Sequence, residues 1–318
     1  MECCADAHTQ HGCTCRFAPS PTGRMHAGNI FAALVSWLLA RRTGGRVLLR
    51  IEDIDTGRSK REFANGIMRD FDSLGLTWDG DALYQSTRSA AYEVSLEMLE
   101  KQGLTYPCYC TRADIHAASA PHAGEKPIYP GTCRMLGHDD RLRREEEARA
   151  CGRFPSIRLM VPHENVSFED LFQGCYGQVL DLECGDFVIR RSDGAFAYQL
   201  AVVVDDAFQH VDCVVRGCDL LSSTPQQMYL QRLLGLPTPR YAHVPVLMGP
   251  DGHRLSKRHA DASLESLLEE YRTPEGIIGH IAYVSGLIPQ DEPCCPDDLV
   301  DEANLESLRN RREILWQS

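Results

Sequence analysis

The sequence predicts an α/β protein. It is expected to hold a doubly wound parallel sheet, an insertion in the middle and a short C-terminal helical region. Three observations predict this. Short apolar runs alternate with segments of helical period from Cys15 to Gln102. The alternation breaks at Tyr106, and residues 107 to about 185 are richer in Pro, Gly, Cys and charge. Strand-like runs then return over residues 186–250, and a helical pattern follows from Ser263. Alternating strands and helices place helices on both faces of a mostly parallel sheet.

Residues 1–15 are polar and carry Cys3, Cys4, His8, His11, Cys13 and Cys15. A disordered tail is expected here in preference to a metal-binding one. Cys15 to Ala18 reads as a short strand. Pro19 and Pro21 each disfavour helix in the residue before them. Gly23 and Gly28 allow the backbone to come close to a ligand. Ile30, Leu34, Trp37 and Leu38 then share one helical face until Gly44 and Gly45 stop the helix. The stretch from Arg16 to Asn29 is therefore a strand, a tight loop and a helix start carrying His26 and Asn29. Exposed amides and the helix dipole suit such a place to phosphate. Taken alone, the stretch also reads as an ordinary βα connection with a chance histidine.

Arg46 to Asp53 is the next strand, and Glu52 and Asp53 fall beyond its carboxyl end, where open parallel sheets hold ligands. Ser59 and Glu62 fit a capping box. Phe63, Ile67, Phe71 and Leu74 mark the helix that follows, and another spans Ser89 to Gln102. After the insertion, Asp186 to Gly194 reads as a hairpin turning on Ser192-Asp193-Gly194. Tyr198 to Asp206, with Val202, Val203 and Val204 at its centre, reads as a buried strand. Val214 to Gly217 is a strand end, and Thr224-Pro225 opens a helix. His243 to Met248 is a strand leading into a loop at Arg254-Leu255-Ser256-Lys257-Arg258.

The 318 residues suffice for two or three domains, or for one elaborated domain. The divisions expected are 1–15, 16–106, 107–185, 186–250 and 251–318. A net charge of −12 argues against a surface covered in nucleic-acid contacts. Arg41, Arg42, Arg46, Arg50, Arg58, Lys60 and Arg61 could still form a local basic patch. No apolar run is as long as a membrane span, and the N-terminus lacks the basic-then-apolar order of a signal peptide. With 14 cysteines and no secretory signal, thiols or metal ligands are expected rather than disulfides. A cytoplasmic monomer is expected.

His26-Ala27-Gly28-Asn29 and Arg254 to Arg258, roughly 230 residues apart, resemble the paired HIGH and KMSKS nucleotide motifs of class I aminoacyl-tRNA synthetases. The run Arg16-Phe17-Ala18-Pro19-Ser20-Pro21-Thr22-Gly23 resembles the glutamyl branch. Asn29 stands where the first signature ends in His, and Arg254-Leu255 replaces Lys-Met. Both changes keep donor character. The resemblance implies a Rossmann-like catalytic fold that binds ATP, with Mg²⁺, through His26, Asn29, Ser256 and Lys257. His26, Asn29 and Lys257 would serve catalysis. Attack on the α-phosphate needs positioning and neutralisation of the departing pyrophosphate, which donors at a helix start and a lysine point charge can supply.

An amino acid with an acidic side chain needs a carboxylate for its ammonium and an arginine for its side chain. By resemblance, Arg16, Ala18, Ser20, Glu52, Tyr198 and Arg216 bind L-glutamate. Any single arginine of this set could instead be a structural ion pair. Cys108, Cys110 and Cys133 could close on one metal, and a structural zinc takes four ligands. The resemblance implies Tyr129 as the fourth, and His116 and His122 are the alternatives.

Only residues 259–318 follow the second motif, too few for a further domain of typical size. An anticodon-binding domain is therefore expected to be absent, as in the short glutamyl-Q branch of the family. Arg216-Gly217-Cys218-Asp219 also departs from the Gly-Glu-Asp of ordinary glutamyl enzymes. This resemblance implies transfer of glutamate to the queuosine base at the wobble position of tRNA(Asp). Three other functions fit the same residues: a short enzyme charging tRNA(Glu), a ligase for another small acceptor, and a catalytically silent binding module.

Overall fold

The computed structural model describes residues 12–111, 113–115, 128–255 and 263–316. Strand β1 (Thr14–Phe17) leads through the Pro-Gly loop into helix α1 (Ala27–Arg42) and then β2 (Arg46–Ile51), which pairs parallel to β1. Ile30, Phe31, Leu34, Trp37 and Leu38 of α1 are all buried. Side chains of this size each contribute about 1.5–3 kcal/mol when fully buried. Packing, more than intrinsic propensity, therefore holds the helix. Arg41 and Arg42 complement the dipole in its last turn.

β1 begins inside the segment read as a tail. Cys15 in β1 and Cys13 just before it are buried core residues, because β1 lies inside the sheet between β2 and β9. Residues 1–11, with Cys3, Cys4, His8 and His11, fall outside the described residues.

Helix α2 (Arg61–Ser73) starts at Lys60 without a side-chain cap, so the Ser59–Glu62 capping box does not form. Ser59 instead closes a turn on the Asp55 carbonyl, one residue too early to cap the helix. β3 (Leu83–Tyr84) and α3 (Ser89–Lys101) follow.

The insertion does not stand apart from the sheet. β4 (Thr105–Cys108), α4 (His138–Ala150) and β5 (Ser156–Leu159) open it. β6 (Asn165–Asp170) and β7 (Gly174–Val179) then form an antiparallel hairpin that joins the main sheet. After the short α5 (Leu180–Glu183) comes β8 (Phe187–Arg190), which pairs with β5 in a separate three-stranded antiparallel sheet with β4. The predicted hairpin at Ser192-Asp193-Gly194 turns back, but its return leg is a single bridge at Phe196.

Tyr198–Phe208 is helix α6, not a strand. A run buried from Leu200 to Asp206 has no amphipathic period to separate the two states, and its length fits a helix packed on a sheet. β9 (Cys213–Gly217), α7 (Thr224–Leu234) and β10 (Arg240–Val244) follow. The strand expected over His243–Met248 is split at Pro245. Beyond it, β11 (Val246–Met248) leaves the main sheet to pair with β12 (Glu313–Leu315). Proline has no amide to continue a ladder. α8 (Leu264–Tyr271), α9 (Pro274–Ser285) and α10 (Leu299–Glu302) complete the helical end. Ser263 and Thr273 cap α8 and α9 through bonds to the amides of Ser266 and Gly276.

The main sheet has the order β3-β2-β1-β9-β10-β6-β7 and is parallel except at its β6–β7 edge. From β1 the chain winds one way to β2 and β3, and from β9 the other way to β10. The reversal between β1 and β9 is a topological switch point, where ligands settle beyond the carboxyl ends of the strands. Among the described residues no helix is long and apolar enough to cross a membrane.

Candidate active site

A cleft of about 470 Å³ opens at this switch point. Its walls come from the carboxyl ends of β1, β2, β9 and β10, the start of α1, and Tyr198 at the head of α6. Arg16, Ala18, Ser20, His26, Asn29, Glu52, Tyr198 and Arg216 all line it. These residues come from five separate elements, and the topology alone brings them together.

His26 is the N-cap of α1. Its Nδ1 accepts from the Gly28 amide at 3.2 Å, and its own amide donates to Asn29 Oδ1 at 3.3 Å. The reciprocal pair fixes the ring and spends the Asn29 oxygen, which leaves that amide's NH₂ as a donor group. His26 and Asn29 therefore sit on the helix turn whose amides and dipole favour an anion.

Two arginines flank the cleft, each held from behind. Arg16 Nε contacts Asp206 Oδ1 at 3.1 Å, and its Nη1 donates to the Val215 carbonyl at 3.1 Å. Asp206 also meets Arg50 at 2.7 Å. Burial alone would raise the Asp206 pKa, but Arg50 and Arg16 outweigh it and hold the carboxylate below its ordinary value. Arg216 Nε donates to His243 Nε2 at 3.0 Å, Nη2 donates to Thr224 Oγ1 at 2.7 Å, and Nη1 donates to Tyr198 Oη at 3.3 Å. His243 Nδ1 faces Asp170 Oδ2 at 2.6 Å. Burial, with Arg216 nearby, keeps the His243 pKa below its usual value despite Asp170. The neutral ring thus donates from Nδ1 to Asp170 and accepts at Nε2 from Arg216.

Glu52 lies just past β2, with its Oε1 3.8 Å from Arg50 Nη2. That oxygen is buried and has no hydrogen-bond partner. Burial pushes the Glu52 pKa up to about 7, with Arg50 and Arg16 pulling the other way. An under-satisfied buried carboxylate facing a cleft is a place for a cationic ligand group.

Arg254 and Leu255 also line the cleft, and Arg254 is ion-paired with Asp219. Ser256 and Lys257 lie outside the described residues. The described residues on either side of them are Leu255 and Ser263. The Leu255 amide donates to the Leu247 carbonyl at 2.8 Å, and Ser263 forms a bridge with His26.

A second group of donors lies in the insertion. Cys110 and Cys133 Sγ are 3.5 Å apart, Tyr129 Oη is 3.4 Å from Cys108 and 3.8 Å from Cys110, and the Cys133 amide donates to Tyr129 Oη at 2.8 Å. The three thiols are close enough to hold one metal ion, and Tyr129 shares their centre. A hydrogen bond from Cys133, ahead of Tyr129 and Arg158, brings the Cys108 thiol down to about 4 against its burial. The donor set fits a thiophilic cation. His116 and His122 lie outside the described residues.

Sequence reasoning missed Asp206, Asp170, His243 and Thr224, which brace the two arginines, and it read Arg50 as part of a basic patch, whereas Arg50 is fully buried against Asp206. Asp206 carried a signal, an acidic pair closing an apolar run, but the strand reading hid which face it takes. Asp170 sits in the insertion, with nothing local to tie it to β10.

A family model described as "tRNA synthetases class I (E and Q), catalytic domain" matches residues 13–294. A glutamyl-Q tRNA(Asp) synthetase of Symbiobacterium thermophilum is 47% identical over 92% of this chain and 93% of its own length. One of Geobacter sulfurreducens is 52% identical over 78% of this chain and 76% of its own. The fold resembles a glutamate-tRNA synthetase of Elizabethkingia anophelis with a TM-score of 0.80 at 23% identity, covering 97% of this chain and 68% of that one. It also resembles a glutamate tRNA ligase of Elizabethkingia meningosepticum in complex with its amino acid, with a TM-score of 0.78 at 23% identity. The chain belongs to the class I tRNA synthetases of the glutamate and glutamine type.

Proposed function

We propose that the protein activates L-glutamate with ATP and Mg²⁺ to glutamyl-adenylate, then transfers the glutamyl group to queuosine at the wobble position of tRNA(Asp). The observation that carries this reading is the pairing in one cleft of an under-satisfied carboxylate, Glu52, with two braced arginines, Arg16 and Arg216. A free amino acid with an acidic side chain presents the complementary charges. Glu52 takes its ammonium, Arg216 with Tyr198 takes the side-chain carboxylate, and Arg16, Ala18 and Ser20 complete the pocket.

The glutamate α-carboxylate attacks the α-phosphate of ATP, and pyrophosphate leaves. His26 and Asn29, at the start of α1, bind phosphate oxygens. Ser256 and Lys257 come from the segment whose ends lie at Leu247 and His26, and Lys257 neutralises the departing pyrophosphate as a point charge. A hydroxyl of queuosine then attacks the activated carbonyl and AMP leaves. Zinc is the metal proposed for Cys108, Cys110, Cys133 and Tyr129. When bound it would hold the insertion's loops together. The enzyme would act as a monomer in the cytoplasm.

The match to relatives that it spans almost end to end supports this acceptor. The test is transfer of labelled glutamate to tRNA from cells with and without queuosine. Label confined to queuosine-containing tRNA(Asp) is expected. Equal labelling of tRNA(Glu) in both pools would refute it.

A further inference from the structure

Cys13, Cys15 and Cys213 form a second thiol cluster that the active site and the insertion do not use. Cys15 and Cys213 are register partners across the parallel β1–β9 pair. Cys13 immediately precedes β1, two residues before Cys15, and its sulfur lies beside that of Cys15. The three sulfurs are therefore gathered by topology, and all lie within 4.8 Å of one another. Cys13 and Cys15 Sγ are 3.6 Å apart. A tetrahedral zinc with Zn–S bonds of about 2.3 Å sets its sulfurs about 3.8 Å apart. The insertion cluster, with its 3.5 Å pair, has the same spacing.

Charge also gathers at this cluster. Asp212 Oδ1 is 3.1 Å from Cys13 Sγ and Arg240 Nη2 is 3.4 Å from it, and the two groups lie 3.9 Å from each other as a half-exposed ion pair. A cation on three thiolates leaves net negative charge, which Arg240, 3.4 Å from Cys13 Sγ, would offset. The plain alternative is three reduced cysteines packed as small apolar residues.

We propose that Cys13, Cys15 and Cys213 form a second metal site, taking a thiophilic cation of the Zn(II) class at the end of the sheet away from the cleft. Soft thiolate sets select such ions.

The test starts from the full chain carrying Cys108→Ser and Cys133→Ser, which removes the insertion site and leaves the sheet intact. Loaded with Co(II) under reducing conditions, this variant is expected to keep one metal equivalent and a thiolate-to-cobalt charge-transfer band. Adding Cys15→Ala and Cys213→Ala is expected to abolish both, with circular dichroism confirming the fold. The parent chain should hold two zinc equivalents by elemental analysis. No band in the first variant would overturn the proposal. So would a band that survives Cys15→Ala and Cys213→Ala, which would place the metal elsewhere in the chain. A mass lower by two hydrogens, marking a disulfide, would also overturn it.

Discussion

Glu52 is a carboxylate whose charge depends on what sits beside it. With a pKa near 7 in the empty cleft, it is partly protonated at neutral pH. A bound ammonium favours its ionised form. As pH falls through 7 a proton must leave before glutamate binds, so affinity weakens by up to about tenfold per pH unit. Above that pH affinity levels off. Glutamate KM measured from pH 6 to 8 checks this, and Glu52→Gln should flatten the profile. The same substitution should raise glutamate KM by about 10- to 150-fold, since a charge-assisted bond contributes about 1.5–3 kcal/mol. ATP KM should change little. At Arg216 the support matters as much as the residue. His243→Ala removes the imidazole from buried Asp170, which keeps only backbone amides, and should cost about 1–3 kcal/mol by urea unfolding. It should also weaken glutamate binding by loosening the guanidinium, which keeps only Thr224 and Tyr198. Glu52 and Arg216 were legible in the sequence because each ends an apolar run. Asp170 and His243 were not, because the residues that meet lie 73 positions apart.

Among the elements, α1 was the most legible, with proline and glycine before it and two glycines after. α6 was misread because Val202, Val203 and Val204 favour strand locally, while the position over the sheet decides for helix. The joining of β6 and β7 to the main sheet was also invisible, since edge pairing is a long-range event. α9 offers a test of packing between elements. A Cβ at Gly279 would stand 1.9 Å from the Glu292 carbonyl oxygen, which belongs to backbone. Gly279→Ala should therefore destabilise by about 1–3 kcal/mol, seen as a lower Tm. In the insertion, a chelator should lower Tm and release one metal equivalent, with tRNA-independent glutamate activation retained after brief exposure. The Cys108, Cys110 and Cys133 core is separate from the cluster that packs α1 under the cleft.

At the scale of the molecule, the chain spans 93% of the Symbiobacterium relative but 68% of the Elizabethkingia anophelis synthetase. The place of the cleft was readable because two motifs far apart in the chain, around His26 and Arg254, meet on it. The braces behind the arginines were not, since no short motif encodes them. The account rests on the proposal that this cleft holds glutamate by opposite charges and ATP by the start of α1. Its most direct test is isotope exchange between pyrophosphate and ATP without tRNA. Exchange that requires glutamate, is not supported by aspartate or glutamine, and is lost in Lys257→Ala is predicted. No exchange with glutamate, or equal exchange with glutamine, would contradict it.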